Sequence, residues 1–278
     1  FAPIPGGVAV LGGAVRAPRL ELLALPEGAR TTIDLDAAWD RVEVAPGGRR
    51  AGLVFAAEAP AGSGGAQVRN PNLVGVLDVE AGRVETLLLA SESAAPRALV
   101  FDGDERFAAL LYDDAVALVD LADPARHRTL PLQLQGGAVL RPEEAIFSPA
   151  GRYLFVRAAG TDDVLAIERI EGEGGFDLAV NFLFAAGLRG LRDVAVAQPL
   201  GEAVVALYVD GAALLDAGGD TAANRVAAPL PALEGIVDLG DGLLLLHPAA
   251  GGDLLAAWEP LAGRTALQRL DRPLLRPP

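Results

Sequence analysis

Glu143–Ile170 reads EEAIFSPAGRYLFVRAAGTDDVLAIERI. Ala145–Ser148 is short and apolar, and Pro149-Ala150-Gly151 turns the chain. Arg152–Ala159 is rich in aromatic and branched residues, the composition of a strand. Gly160-Thr161-Asp162-Asp163 makes a second turn, because Gly supplies positive φ and Asp tolerates it. Val164–Ile170 is a third strand, and after the break at Glu171–Gly175 Leu178–Phe184 makes a fourth. Four short strands with short turns form an antiparallel meander. Their apolar residues fall on both sides, so neighbours must cover both faces of such a sheet.

The same turn recurs. Val44-Ala45-Pro46-Gly47-Gly48-Arg49, Phe101-Asp102-Gly103-Asp104-Glu105-Arg106 and Ala197-Gln198-Pro199-Leu200-Gly201-Glu202 take the register of Phe147–Arg152, and Asp238–Leu243 is a weaker fifth copy. Each copy predicts a second strand (50–57, 107–112, 152–159, 203–209, 243–247). A third follows (73–79, 115–120, 164–170, 212–216, 253–258), then a fourth (84–89, 129–134, 178–184, 225–230, 265–270). No stretch carries a run at helical spacing. Before the first copy, Gly7–Gly13, Arg19–Leu25 and Thr31–Leu35 resemble second, third and fourth strands without a first. After the last, Asp271-Arg272-Pro273-Leu274-Leu275 resembles Asp40–Val44.

If that tail supplies the missing strand, the ends close a ring of six wedge-shaped sheets. The expectation is an all-β chain, a single domain over 1–278: a β-propeller of four-stranded antiparallel blades, six in number and closed by the C-terminal strand joining the N-terminal blade. Equivalent positions recur at intervals between about 37 and 57 residues, bracketing the usual length of a propeller blade.

FSPAGRYLFV (Phe147–Val156), followed by a turn and the strand VLAIERI, resembles the YVTN/lactonase-like bacterial β-propellers. Those read similarly around the turn and then run a strand into an acidic turn. Val76–Val84 and Val116–Leu121 fit that third strand. The resemblance touches most of the chain and implies blades. Seven blades are usual in that family, so seven is the alternative count.

Composition excludes several functions. The 37 acids against 23 bases give net charge −14, which argues against nucleic acid as a partner. Every base is Arg. Hydrophobic residues make up 51%, yet no apolar run is long enough to span a bilayer. Cys is absent, which excludes disulfides and thiolate metal sites. Met is absent and the chain begins at Phe1, for which removal of an export signal is the simplest reading. An exported location follows as an expectation.

In a meander the first strand starts, and the second ends, at one end of the sheet. In a ring that end faces the channel mouth. Asp40, Arg97, Glu143, Asp193, Glu234 and Asp271 hold the first-strand starts. Like charges so placed raise each other's pKa or demand a cation. Asp40, Glu143, Asp193 and Glu234 are therefore candidate ligands for a hard cation such as Ca²⁺ in the channel. The alternative is a solvated rim in which Arg41, Arg97, Arg141 and Arg192 pair the acids, with no cofactor. The long loop Glu58–Asn72 brings Arg69, Asn70 and Asn72 to the same end, as candidate partner contacts with Arg97. Trp39, beside Asp40, either stacks on a ligand or packs against the neighbouring blade. Of the two histidines, His247 ends a second strand and is the candidate general base; His127 sits in a polar turn. The lactonase-type propellers use acid and Asn ligands around a channel ion. No Asn falls at a first-strand start here.

Two functions are expected from different classes. The favoured one is a non-catalytic exported propeller that binds a protein partner, or assembles through its Pro-rich terminal strands. The alternative is a divalent-cation-dependent hydrolase or lactonase at the channel mouth, with Glu143, Asp193, Asp40 and Glu234 as ligands and His247 as base.

Overall fold

The computed structural model describes residues 1–14, 17–55, 73–89, 95–133, 137–196, 201–218, 223–227, 233–238, 244–248 and 254–269. Among them are six four-stranded sheets and no helix. The chain groups into two compact units, Phe1–Pro142 and Glu143–Pro278, with three sheets each.

In the first unit, β1 (Ala2–Ile4), β2 (Gly7–Ala14), β3 (Ala17–Ala24) and β4 (Arg30–Asp34) form sheet one. Sheet two is β5 (Arg41–Val44), β6 (Arg50–Val54), β7 (Leu73–Asp78) and β8 (Arg83–Leu88). Sheet three is β9 (Ala98–Phe101), β10 (Phe107–Leu111), β11 (Ala115–Asp120) and β12 (His127–Pro131). In the second unit, β13 (Pro142–Phe147), β14 (Tyr153–Ala158), β15 (Val164–Gly172) and β16 (Gly175–Phe184) form sheet four. Sheet five is β17 (Leu191–Val196), β18 (Ala203–Tyr208), β19 (Ala212–Asp216) and β20 (Ala223–Ala227). Sheet six is β21 (Leu233–Asp238), β22 (Leu244–Pro248), β23 (Leu254–Glu259) and β24 (Arg264–Arg269). Every sheet is a meander in chain order, so the repeats align the strands as expected.

One expectation is corrected. Sheet one takes its first strand from the chain's own start: Ala2, Pro3 and Ile4 pair with Ala9, Val8 and Gly7. The place expected for the C-terminal tail is thus filled by residues 2–4. The reason is local, since the Pro5-Gly6 turn folds this three-residue segment straight back onto β2. Asp271 and the tail to Pro278 lie outside the described residues.

The turn that organises the repeat is held by the side chain of the residue just after its first strand. Asp102 Oδ1 accepts the backbone N–H groups of Arg106 (2.8 Å) and Phe107 (2.9 Å), and Ser148 Oγ accepts that of Tyr153 (3.0 Å). Both are buried. Each satisfies a donor at the start of a second strand, where an unpaired buried N–H is costly.

Within each unit, neighbouring sheets meet face to face. Ala9 and Leu20 of sheet one cluster with Ala51 and Leu77 of sheet two. The other face of sheet two, with Val54, Val74 and Val76, joins Leu99, Ala108 and Leu110 of sheet three. Tyr153 and Phe155 of sheet four pack with Ala206 and Tyr208 of sheet five. Leu207 and Leu214 of sheet five pack with Ala256 and Trp258 of sheet six. Small residues set how closely the sheets approach. A Cβ built on Gly52 would lie 2.6 Å from Leu99 Cδ1, so this leucine occupies the space that a side chain at 52 would need.

Gly52→Val should therefore destabilise the chain by about 1–3 kcal/mol through overpacking. Gly103→Ala, where an added Cβ meets nothing within 4 Å, should stay within about 0.5 kcal/mol of the parent. Urea denaturation of the two variants checks the difference.

Candidate functional site

The predicted site residues that are described sit at or near the end of their sheet where the first strand begins and the second finishes. The register shows it: Arg41 pairs with Val54, Ala98 with Leu111, and Leu191 with Tyr208. Each unit has its own cluster there.

In the first unit, Asp40 leads into β5, with its N–H donating to Val54 O at 3.1 Å and its side chain exposed. Asp40 and Trp39 line a cavity of about 300 Å³ whose other walls include Leu11, Pro18, Leu35 and Ala38. Trp39 is only 5% exposed. Its Nε1–H donates to Leu73 O at 2.9 Å, and its ring centroid lies 6.5 Å from that of Phe55. The indole is thus a core residue with one edge on the cavity. Arg97 precedes β9 and donates to Asp113 Oδ1 at 3.0 Å, while Arg141 Nε lies 3.5 Å from the same oxygen. Arg41 donates to the carbonyls of Arg97 (3.0 Å) and Pro96 (3.3 Å), tying sheet two to the entry of sheet three.

In the second unit, Glu143 and Glu144 stand side by side on β13, and Arg157 near the end of β14 takes both. Its Nη1 donates to Glu143 Oε2 at 3.0 Å and its Nε to Glu144 Oε2 at 2.9 Å. Asp193 on β17 reaches Glu144 with its carboxyl, while its Oδ1 also accepts the N–H of Val194 at 2.8 Å. Glu144 is held above the usual carboxylate range, first by burial and then by its contact with the Asp193 carboxyl; Arg157 pulls the other way. The inter-sheet contact continues behind it: the N–H of Leu191 donates to Asp162 Oδ1 at 3.0 Å and the Tyr208 hydroxyl to Asp162 O at 3.2 Å. Burial raises the Tyr208 phenol far above its ordinary value.

Glu234 lies in β21 where the register with β22 shifts, and His247 pairs with Gly235 in β22; only their strand positions are described. Arg69, Asn70 and Asn72 lie outside the described residues. His127 begins β12, its Nδ1 3.4 Å from Pro124 O. The structure thus brings Trp39 to Asp40, and it links Glu143 through Arg157 to Glu144, whose carboxyl meets that of Asp193. Among the described residues, no group of three or more His, Asp or Glu is placed to hold a metal ion. Glu144, Arg157 and Asp113 complete these clusters and were not singled out in the sequence. The adjacency of Glu144 to Glu143 was a signal for the first. Arg157 and Asp113 needed the pairing of the hairpins.

No family model matches the chain, and no curated protein matches its sequence. Solved structures are similar in fold. One is a dihydro-heme d1 dehydrogenase, NirN, in complex with DHE: 14% identity and TM-score 0.55 over 98% of this chain and 56% of that one. Another is the WD40 domain of SCAP from fission yeast, at 12% identity and TM-score 0.58 over 84% of this chain and 56% of that one. A chain of the mitotic checkpoint complex matches at 11% identity and TM-score 0.52, over 95% of this chain and 82% of that one. The chain therefore spans a little over half the length of the first two.

The protonation of Glu144 gives a test. Its raised pKa means the folded chain binds this proton more tightly than the unfolded chain does. The stabilisation is complete below the ordinary carboxylate range and is lost as pH rises through the raised value. Glu144→Gln does not titrate. Relative to the parent it should gain stability at pH 7, with the gain shrinking towards pH 4. Urea midpoints at the two pH values measure it, and a gain that grows on acidification contradicts the assignment. At these identities the structural likeness speaks to fold alone, and with the six meander sheets it makes the chain a β-propeller of four-stranded antiparallel blades.

Proposed function

We propose that this chain is a non-catalytic, protein-binding β-propeller that works as an exported scaffold. In this reading residues 1–278 form a single domain of six blades, related to the YVTN/lactonase-like group by the Phe147–Val156 turn. The observation that carries it is the cavity of about 300 Å³ where apolar walls from Leu11, Pro18, Leu35 and Trp39 meet the Asp40 carboxylate. A concave site that sets apolar side chains beside one charged group suits an apolar side chain flanked by a base. Two of the similar folds support the same class of role, being a WD40 domain and a chain of a multi-protein checkpoint complex. The acidic balance of the chain favours a partner with basic residues.

Ala38 lines the cavity, so Ala38→Trp should fill it while the fold stands. Proteins retained from a secreted fraction by the immobilised parent should be lost by this variant. Equal retention by both, with the variant folded, removes the cavity from the account.

A second reading is kept by the Glu144–Asp193 carboxyl contact. It is a hydrolase or lactonase dependent on a divalent cation, with Glu143, Asp193 and Glu234 of the second unit among its ligands and His247 as base. It requires heat on titration with Ca²⁺ and a melting temperature that falls when chelator is added. Neither response is expected of the scaffold.

A further inference from the structure

The turn between first and second strands holds one residue out of line with the other copies. Its third position is Gly48, Glu105, Gly151 and Gly201 in the four copies. All four adopt positive φ, at 72°, 56°, 69° and 68°. Gly enters this region freely and a residue with a Cβ does not. Glu105 is the one non-glycine residue with positive φ among the described residues.

Its side chain is also costly. It is 2% exposed, and neither carboxylate oxygen accepts a hydrogen bond. A buried carboxylate in that condition is unfavourable. Arg49, from the equivalent turn of sheet two, is the nearest cation. Its Nε stays 3.6 Å from Glu105 Oε2, while its Nη2 donates instead to Asp104 O at 3.0 Å. Gly47 makes the space: a Cβ there would lie 2.3 Å from Glu105 Oε1. Glu105 borders a cleft of about 180 Å³ between the two turns, lined also by Arg49, Arg50, Asp78, Glu80 and Asp104. Four acids face two bases there, and Arg50 is already engaged by Asp78 at 2.9 Å.

We propose that this cleft receives an arginine side chain of a partner protein, with Glu105 as its two-pronged acceptor. A planar guanidinium presents two parallel N–H groups and matches two carboxylate oxygens that lack donors. Arg49 forms a loose ion pair with the carboxylate and no hydrogen bond to it. Its side chain is 66% exposed, so it can swing aside when the partner's arginine enters. The inference rests on the protein-binding reading but shares no residue with the Trp39–Asp40 cavity, so either can fail alone.

The test is binding of a fluorescein-labelled (Ala-Arg)₄ peptide, with (Ala-Lys)₄ as control, followed by anisotropy. The parent should bind the arginine peptide more tightly than the lysine peptide. Glu105→Gln should weaken the arginine peptide by about tenfold or more, and Arg49→Ala should tighten it by removing the resident competitor. Glu173→Gln, an exposed acid in the other unit, should bind as the parent does. Glu105→Gly should melt above the parent while losing the peptide, because it relieves both the backbone and the buried charge. The proposal is overturned if the parent fails to bind, or if Glu105→Gln and Glu173→Gln bind alike. It is also overturned if Glu105→Gly melts below the parent, which would make Glu105 a structural lock to Arg49.

Discussion

Sheet five shows the constraint on which the rest of the structure depends. Along β18, Val204, Ala206 and Tyr208 pack against sheet four, while Ala203, Val205 and Leu207 between them pack against sheet six. Side chains alternate across a strand, so a strand apolar at every position has two greasy faces. Sheet two repeats the arrangement, with Ala51 and Leu77 towards sheet one and Val54 and Val74 towards sheet three. Each buried Val or Leu contributes about 1.5–3 kcal/mol relative to exposure. A four-stranded sheet alone would leave both faces wet, and stacking sheets within each unit is the response. Alanine and glycine fix how near they come, as Gly52 under Leu99 illustrates.

With both faces of the inner strands consumed, the polar clusters described above gather at strand ends and turns. The two kinds of end are used differently. At the first-to-second turns, Asp102 and Ser148 satisfy the backbone, and between adjacent turns Glu105 meets Arg49. At the opposite ends, where first strands begin, Arg97 and Arg141 flank Asp113, and Arg157 holds Glu143 and Glu144. These pairs are exposed or half-buried, so individually they add little to stability. Their weight lies in the charge pattern they present.

Much of the fold was legible because the turn carries its own signature. Pro-Gly-Gly-Arg at 46–49 and Pro-Ala-Gly-Arg at 149–152 phase the strands after them, and Gly7–Gly13 proved to be β2 almost to the residue. What was misread is β1. Three residues, Ala2-Pro3-Ile4, are too few to show a period, and Pro3 argues against a strand unless it lies at an edge, which is where β1 runs. The site was legible in outline. First-strand starts do gather acids and bases, but which base meets which acid depends on hairpin register. Arg157 reaches Glu143 and Glu144 only because β14 folds back along β13. The cost carried by Glu105 was invisible for a related reason: charge is expected at a turn, and only coordinates reveal that this carboxylate is buried.

Native-state hydrogen exchange tests the central claim most directly, since amides on strands stacked from both sides should open only with the whole unit. The account predicts that β10 and β11, which are buried along their full length, exchange by global unfolding. β12, on the outer edge of the same sheet, should exchange through local fraying with little dependence on denaturant. If β10 and β11 exchange as locally as β12 does, their two faces are not both covered and the stacking account is wrong.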